Sequence, residues 1–492
     1  MKFISNHVKD NFGLYVLLGF FSILFFFHVN YSTLSSWDEA WYAVIARDML
    51  ARGDFLRMHF NSLPFFDHPP AGFWFMALSY KLLGVSEFST RLPSVSFGIG
   101  SIALTYLLSL RLFRSKTQAF VAASILGTCV WFVLRVRSGN LDSPFVFFYL
   151  LTIYSAIRSR MDIRWFVPTM ISFALLFMTK TLVGASAIAL VILINSNHLI
   201  RSIRERKVIG SRFIIIGMLA AAIIILPWYI IHWLSYHNFI QHHFVDIGTR
   251  NKTLTSYFQI NATQPLYYLH MGIRKWYYLW IAALGIIFVR RDFLKNEVAL
   301  LLSWNALVLY PFLTTTQTQL WHLIPVYIPI ALLTAYGLYP YDITLPKSVA
   351  KRLPRTSFIP PLRIRSLAYL GAFLFVAFLQ IKTFKPEVIQ ADKYIPDDVA
   401  IAQAAHSLPG RVFLDDDFLP MAVYYADRVV YPIRELRYYG FNIDDETLVS
   451  LFKSNEKNFA VITRKWATGN LDSEKIPYKI IKENSSFVIV TR

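Results

Sequence analysis

Cysteine is nearly absent. Cys129 is the only one in 492 residues, so no disulfide can form within the chain and the redox compartment stays open. Charge is scarce too. Asp, Glu, Lys and Arg make up 16% of the chain, against about 25% in soluble globular domains, while 55% of residues are hydrophobic. That balance excludes an ordinary soluble domain and predicts a polytopic membrane protein. No repeat of 20–50 residues and no low-complexity stretch is visible, which argues against solenoids and tethers. The first apolar run has no small-residue cleavage site, so it reads as an uncleaved first span.

Acids are the scarcer charge. The net charge is +19, yet the bases do not form a nucleic-acid stripe. They gather in short segments between apolar runs, the pattern of cytoplasmic loops, and no nucleic-acid partner is expected. Eleven spans are expected: Phe12–Tyr31, then about Arg91–Leu110, Thr117–Val136, Ser143–Ile157, Trp165–Thr179, Leu182–Asn195, Phe213–Trp233, Met271–Val289, Glu297–Thr315, Leu323–Tyr339 and Ser366–Phe384. The six segments assigned inside hold 22 Lys and Arg. The outer loop 32–91 is balanced. This asymmetry puts the N-terminus inside and the loop outside. Residues 1–384 then form a transmembrane domain. Residues 385–492, charged and punctuated, read as a small extracytoplasmic α/β domain. Its expected strands are Arg411–Leu414, Ala422–Tyr425, Phe459–Thr463 and Phe487–Val490, with helices near Asp397–Ser407 and Asp444–Ser454.

The acids that remain are concentrated in Asp38–Pro70, just outside the first span. Asp38 to Arg52 has helical spacing and Gly53 would stop it, which predicts a short helix on the membrane face. Collecting charged residues and histidines at outer span ends gives one set: Asp38, Glu39, Asp67, His68, Arg135, Arg137, Asp142, Lys180, His242, His243, Arg250 and His322. Ionisable residues near a bilayer are costly and tend to be functional. Acids beside bases suit a polyprenyl-phosphate sugar donor, with cations on the phosphate and a carboxylate taking a proton from an acceptor hydroxyl. Each residue also has a plainer reading. Asp38 and Asp142 could cap helices. Asp67-His68-Pro69-Pro70 could be a polar turn. Lys180 could snorkel, and His322 could belong to an interfacial belt beside Trp321. His242 and His243 are adjacent and do not share a helix face, which weakens a metal site there. Asp415-Asp416-Asp417 reads best as a solvated turn.

The motifs resemble those of glycosyltransferases of the C-type membrane fold, nearest to bacterial aminoarabinose lipid A transferases, with protein O-mannosyltransferases more distant. The carriers are Trp37-Asp38-Glu39-Ala40-Trp41-Tyr42, Ala46-Arg47-Asp48-Met49, Phe66-Asp67-His68-Pro69-Pro70, Arg91-Leu92-Pro93, Leu141-Asp142-Ser143-Pro144, Met178-Thr179-Lys180, Leu226-Pro227-Trp228-Tyr229, Pro265-Leu266-Tyr267-Tyr268 and His322-Leu323-Ile324-Pro325. They run in order across about residues 12–340. The resemblance implies membrane helices around an outward-facing cavity, with Asp38 as the catalytic acid of the first outer loop and Asp67 as a second acid near the donor phosphate. Glu39, Tyr42, His68, Asp142, Lys180, His243, Arg250 and His322 would line the donor and its phosphate. It further implies an inverting sugar transfer to lipid A, lipopolysaccharide or another envelope acceptor, in a bacterial inner membrane. No cofactor or obligatory divalent metal is expected. His68 stands where the aminoarabinose enzymes commonly have lysine, Trp41 where they often have arginine, Phe65 where they often have tyrosine, and Thr181 where glycine is usual. These departures bear on which sugar the donor carries. Protein O-glycosylation, a flippase for lipid-linked sugars and an envelope scaffold are the competing readings.

Overall fold

A computed structural model describes residues 11–35, 38–204, 212–249, 258–314, 319–340, 362–388, 394–433 and 447–492. Arg250, Trp37 and the end of the segment Arg201–Lys207 lie outside the described residues. Among the described residues the N-terminal part is mainly helical: α1 Phe12–Phe26, α2 Asp38–Arg52, α3 Ala71–Leu83, α4 Glu87–Phe113, α5 Lys116–Gly127, α6 Val130–Val136, α7 Asp142–Ser159, α8 Phe166–Phe177, α9 Thr181–Arg204, α10 Arg212–Ser235, a π-helical turn Gln241–Thr249, α11 Thr263–Ile273, α12 Lys275–Val289, α13 Asn296–Leu313, α14 Ile324–Gly337 and α15 Leu362–Val388. Among the described residues, five helices are long and apolar enough to cross a membrane. With two bent pairs counted as single spans there are seven, and three shorter apolar helices accompany them.

Two expected spans are broken. The run expected over Thr117–Val136 bends by 70° between α5 and α6, and the segment expected over Met271–Val289 bends by 110° between α11 and α12. At the second break Arg274 has φ +46°, a left-handed backbone conformation that cannot continue a right-handed helix. Met271 therefore belongs to α11, ahead of the bend.

The first outer loop forms as expected. α2 runs Asp38–Arg52, and Gly53 at φ +68° ends it. Strands β1 Met58–Phe60 and β2 Leu63–Phe65 then pair through a two-residue turn with Asn61 and Ser62 at positive φ.

The C-terminal part is a five-stranded sheet in the order β4-β3-β5-β7-β6. β3 (Arg411–Leu414) pairs in parallel with β4 (Val430–Pro432) and β5 (Phe459–Arg464). β7 (Phe487–Thr491) joins β5 and β6 (Lys479–Glu483) antiparallel. Helices α16 (Asp397–Ala404), α17 (Leu419–Ala426), α18 (Leu448–Lys453) and α19 (Gly469–Ser473) accompany the sheet. The expected strand Ala422–Tyr425 is instead the middle of α17. Its residues pack on α2 in one buried cluster with Ala40, Ala43 and Val44, and that packing overrides the local β propensity of Val and Tyr. β4 and β6 were not anticipated. Asp415 accepts a hydrogen bond from Thr463, and Asp416 is ion-paired with Arg464.

Candidate active site at the outer helix ends

Four charged side chains, three on helices and one on a helix–helix link, form one alternating chain. Asp38 opens α2. Arg135 ends α6 and donates from Nη2 to Asp38 Oδ2 at 2.7 Å and from Nε to Asp142 Oδ2 at 2.5 Å. Asp142 opens α7, and its other oxygen accepts from Lys180, in the short link between α8 and α9. Asp142 is 5% exposed. A carboxylate so buried is held ionised only by cations on both sides. The helix-cap reading of Asp142 gives way to this one, since its backbone N–H bonds Asn140 Oδ1 and its carboxylate faces the cations. Among the described residues, Asp38 Oδ1 makes no hydrogen bond, and the side chain is 27% exposed. The face of the Trp321 ring lies 5.0 Å from the Arg135 guanidinium, a cation–π contact that fixes the arginine's plane.

Glu39 points the other way from Asp38. It is 3% exposed and pairs with Arg91 at 2.7 Å, while Gly139 N–H and Ser35 N–H also donate to it. Burial works to raise its pKa, but the Arg91 charge and these hydrogen bonds win and hold it below the ordinary glutamate value. Arg91 also donates to the carbonyls of Val29, Ser32 and Thr33, at the exit of the first span. Expected to touch the donor, Glu39 here ties α2 to α4 and to the end of α1.

Tyr42 and His68 lie close enough to Asp38, Asp67 and Asp142 to feel their charges. Their rings meet edge to face at 6.0 Å, with Phe73 behind Tyr42 at 5.3 Å. Burial, then the Asp38 charge, pushes the Tyr42 phenol well above 10. Burial, then the Lys180 charge, pulls the His68 imidazole down to about 4. His68 was expected as a phosphate-facing cation; at neutral pH it is a neutral hydrogen-bonding group.

The π-helical turn carries the two adjacent histidines in different directions. His242 Nε2 meets Asp67 Oδ1 at 2.6 Å. His243 Nδ1 meets the Phe66 carbonyl at 3.0 Å and its Nε2 meets Thr181 Oγ1 at 2.9 Å. Tyr229 OH completes this group, 2.7 Å from the Thr181 hydroxyl. The Asp67 hydrogen bond raises the pKa of His242, whereas burial lowers that of His243 to about 4. Thr181, noted from sequence only as standing where glycine is usual, and Tyr229 were not among the expected site residues. The Leu226-Pro227-Trp228-Tyr229 motif was the available signal. His322 stands one residue from Trp321, its ring stacked on Phe312 at 6.3 Å and its Nδ1 accepting the Gln319 N–H. Among the described residues, no group of three or more His, Cys, Asp and Glu is placed to hold a metal ion.

Similarity to known proteins bears on the fold. Residues 67–231 match the family model described as dolichyl-phosphate-mannose-protein mannosyltransferase. The structure is similar to that of ArnT from Cupriavidus metallidurans bound to undecaprenyl phosphate, with a TM-score of 0.69 over 98% of both chains at 15% identity. The chain shares the fold of that protein. It is also similar, at a TM-score of 0.57 and 10% identity, to the archaeal oligosaccharyltransferase AglB from Archaeoglobus fulgidus over 93% of this chain and 70% of that one. Among curated sequences, an undecaprenyl phosphate-alpha-4-amino-4-deoxy-L-arabinose arabinosyl transferase from Aeromonas salmonicida is 28% identical over 64% of this chain and 58% of its own length. One of the same description from Pseudomonas aeruginosa is 30% identical over 41% of this chain and 38% of its own. The matched region spans less than two thirds of these relatives.

Proposed function

We propose that the protein transfers one sugar from a polyprenyl-phosphate carrier to a hydroxyl of lipid A, lipopolysaccharide or another envelope acceptor, with inversion at the anomeric carbon. The observation that carries the reading is the chain Asp38–Arg135–Asp142–Lys180 at the outer helix ends. Asp38 keeps one oxygen outside that chain and takes the proton from the acceptor hydroxyl. The acceptor oxygen attacks the anomeric carbon, the bond from that carbon to the phosphate oxygen breaks, and the electron pair leaves with the polyprenyl phosphate. The donor phosphodiester gains a negative charge as it departs, so a cation beside it stabilises the transition state more than the ground state. Lys180, beside Asp142, supports this role, and Arg250 is assigned to it from the set of charged residues at outer span ends. Neutral His68 and Tyr42 orient the donor by hydrogen bonds. No metal takes part in this scheme. The relatives' names support the lipid-linked donor, and the fold shared with the undecaprenyl phosphate-bound structure supports the cavity.

Eleven spans follow if the five long helices, two bent pairs and three shorter helices are joined by α7. The site and the domain from residue 385 then face the periplasm of a bacterial inner membrane. With purified protein, donor and acceptor, Asp38→Asn should lose about 10²- to 10⁴-fold in turnover, the usual contribution of a positioned base. Near-normal turnover of that variant refutes the assignment. A labelled-donor assay separates the competitors, because movement of donor across vesicles without covalent transfer identifies a flippase.

A further inference from the structure

Three fastenings join the C-terminal sheet domain to the loop that carries both candidate carboxylates. The first is Arg47, on α2 nine residues after Asp38, about 13 Å along the helix at 1.5 Å per residue. Its guanidinium donates to the carbonyls of Tyr424 at 2.9 Å and Val423 at 3.1 Å and pairs with Asp427 at 2.7 Å. Those carbonyls belong to the last turn of α17, which ends at Asp427 with φ +50°. Carbonyls of a last turn lack intrahelical partners, and here a side chain from another part of the chain supplies them. The second is Asn61, at the tip of the β1–β2 hairpin. Its side-chain amide donates to the Val430 carbonyl at 2.7 Å and accepts from the Val430 N–H at 3.1 Å, so it pairs with β4 as a strand residue would. The third is Tyr425, whose hydroxyl accepts from Leu34 N–H at 2.8 Å and donates to Glu87 at 3.0 Å. Between them, Ala43, Val44, Ala46, Phe60, Leu419, Ala422 and Val423 share one buried cluster.

The fastenings are spread along the loop rather than gathered at one end. Leu34 precedes α2, Arg47 sits inside it, and Asn61 lies between it and Asp67-His68. We propose that the C-terminal domain is a clamp that sets the position of the active loop, with Arg47, Asn61 and Tyr425 as positioning residues for Asp38 and Asp67. The proposal rests on the transferase reading for its kinetic consequence, and on geometry alone for the clamp. None of the three residues touches the charged chain itself. They act through the placement of α2 and the hairpin, where an error near 1 Å costs about 10²-fold in rate.

The test uses full-length protein in detergent or nanodiscs, with Arg47→Ala, Arg47→Lys and Tyr425→Phe. The last removes two hydrogen bonds and keeps the ring, so it folds even if Arg47→Ala does not. Two readouts are taken: kcat and donor KM, and amide hydrogen exchange across 38–52 and 58–65 with the sheet strands 459–464 and 487–491 as internal reference. The expected result is a kcat lowered about 10- to 100-fold with donor KM within about twofold, faster exchange in 38–52 and 58–65, and unchanged exchange in the reference strands. Arg47→Lys, which keeps the charge and one donor direction, should recover part of the kcat. Unchanged exchange of α2 in Arg47→Ala and Tyr425→Phe overturns the clamp, as does normal kcat with accelerated exchange. If the wild-type protein transfers no sugar, the transferase reading fails while the exchange result still decides whether the domain clamps the loop.

Discussion

Arg135 joins Asp38 to Asp142 through a single guanidinium, at 2.7 Å and 2.5 Å. The two carboxylates sit 104 residues apart in sequence, at the first residues of α2 and α7. With Lys180 on its other oxygen, Asp142 is enclosed by cations and serves as the electrostatic keystone of the group. Removing it leaves partly buried Lys180 without its counter-charge and leaves Arg135 with Asp38 alone. Breaking one partner of a buried pair costs about 3–5 kcal/mol. Asp142→Ala should therefore lower the thermal unfolding midpoint clearly, and Asp142→Asn, which keeps the hydrogen-bond acceptor, should lower it less. Unfolding in detergent, followed by a thiol dye or light scattering, reads both. Equal midpoints for wild type and Asp142→Ala would remove the keystone role.

The Glu39–Arg91 pair predicts non-additivity. Both side chains are nearly fully buried, at 4% and 3% exposure. Arg91→Met alone strands the Glu39 carboxylate and should cost about 3–5 kcal/mol. Adding Glu39→Gln to that variant removes the stranded charge and should return part of the loss. A double-mutant cycle on unfolding midpoints measures the coupling. Additive losses would mean the two residues do not act as a pair.

The π-helical turn should respond to pH. Asp67 raises the pKa of His242, so the protonated form is favoured in the folded state. The contribution of the pair is complete below the ordinary histidine value of about 6.5 and fades as pH rises through the raised value. Amide exchange in 241–249, corrected for its intrinsic pH dependence, should be slower at pH 6 than at pH 8.5. Asp67→Asn should abolish the difference. His68 and His243 move the opposite way, both lowered to about 4. Their neutral forms stabilise the fold above pH 6.5, and that contribution is lost as pH falls toward 4. Unfolding midpoints measured from pH 7 down to 4.5 should decline, and less so in His243→Gln.

Orientation is open to direct chemistry. In a background with Cys129 replaced, cysteines at Ser62 and Ser473 should react with an impermeant thiol reagent in intact cells. A cysteine at Ser202 should be protected. The reverse pattern would place the charged chain in the cytoplasm and remove the donor from its reach.

The loop that bears the site was legible because its signals are local. Asp38 starts α2 and Gly53 stops it, and neither depends on distant contacts. The partners of Asp38 were less legible. Arg135 is 97 residues away, and no spacing rule ties an arginine at the end of one helix to a carboxylate opening another. The break at Arg274 has only Gly272 near it, inside an apolar run that reads as continuous. α17 was misread as a strand because Val423-Tyr424-Tyr425 favours β structure until Leu419, Ala422 and Val423 find the apolar face of α2. The protonation of His68 was equally invisible, since it follows from burial and from Lys180, which only the folded chain brings near.

The pairing of Asn61 with Val430 has a consequence for solubility outside the membrane. β4 is a terminal strand of its sheet, and an open strand edge invites pairing with another chain. The hairpin tip occupies part of that edge with a side-chain amide, which bonds both backbone groups of Val430 and offers no onward ladder. The opposite edge, β6, is exposed along its whole length and is guarded differently, by Lys479, Lys482 and Glu483. One border is capped by the protein's own loop and the other by charge, so Asn61→Ala should promote self-association through β4 before it promotes unfolding.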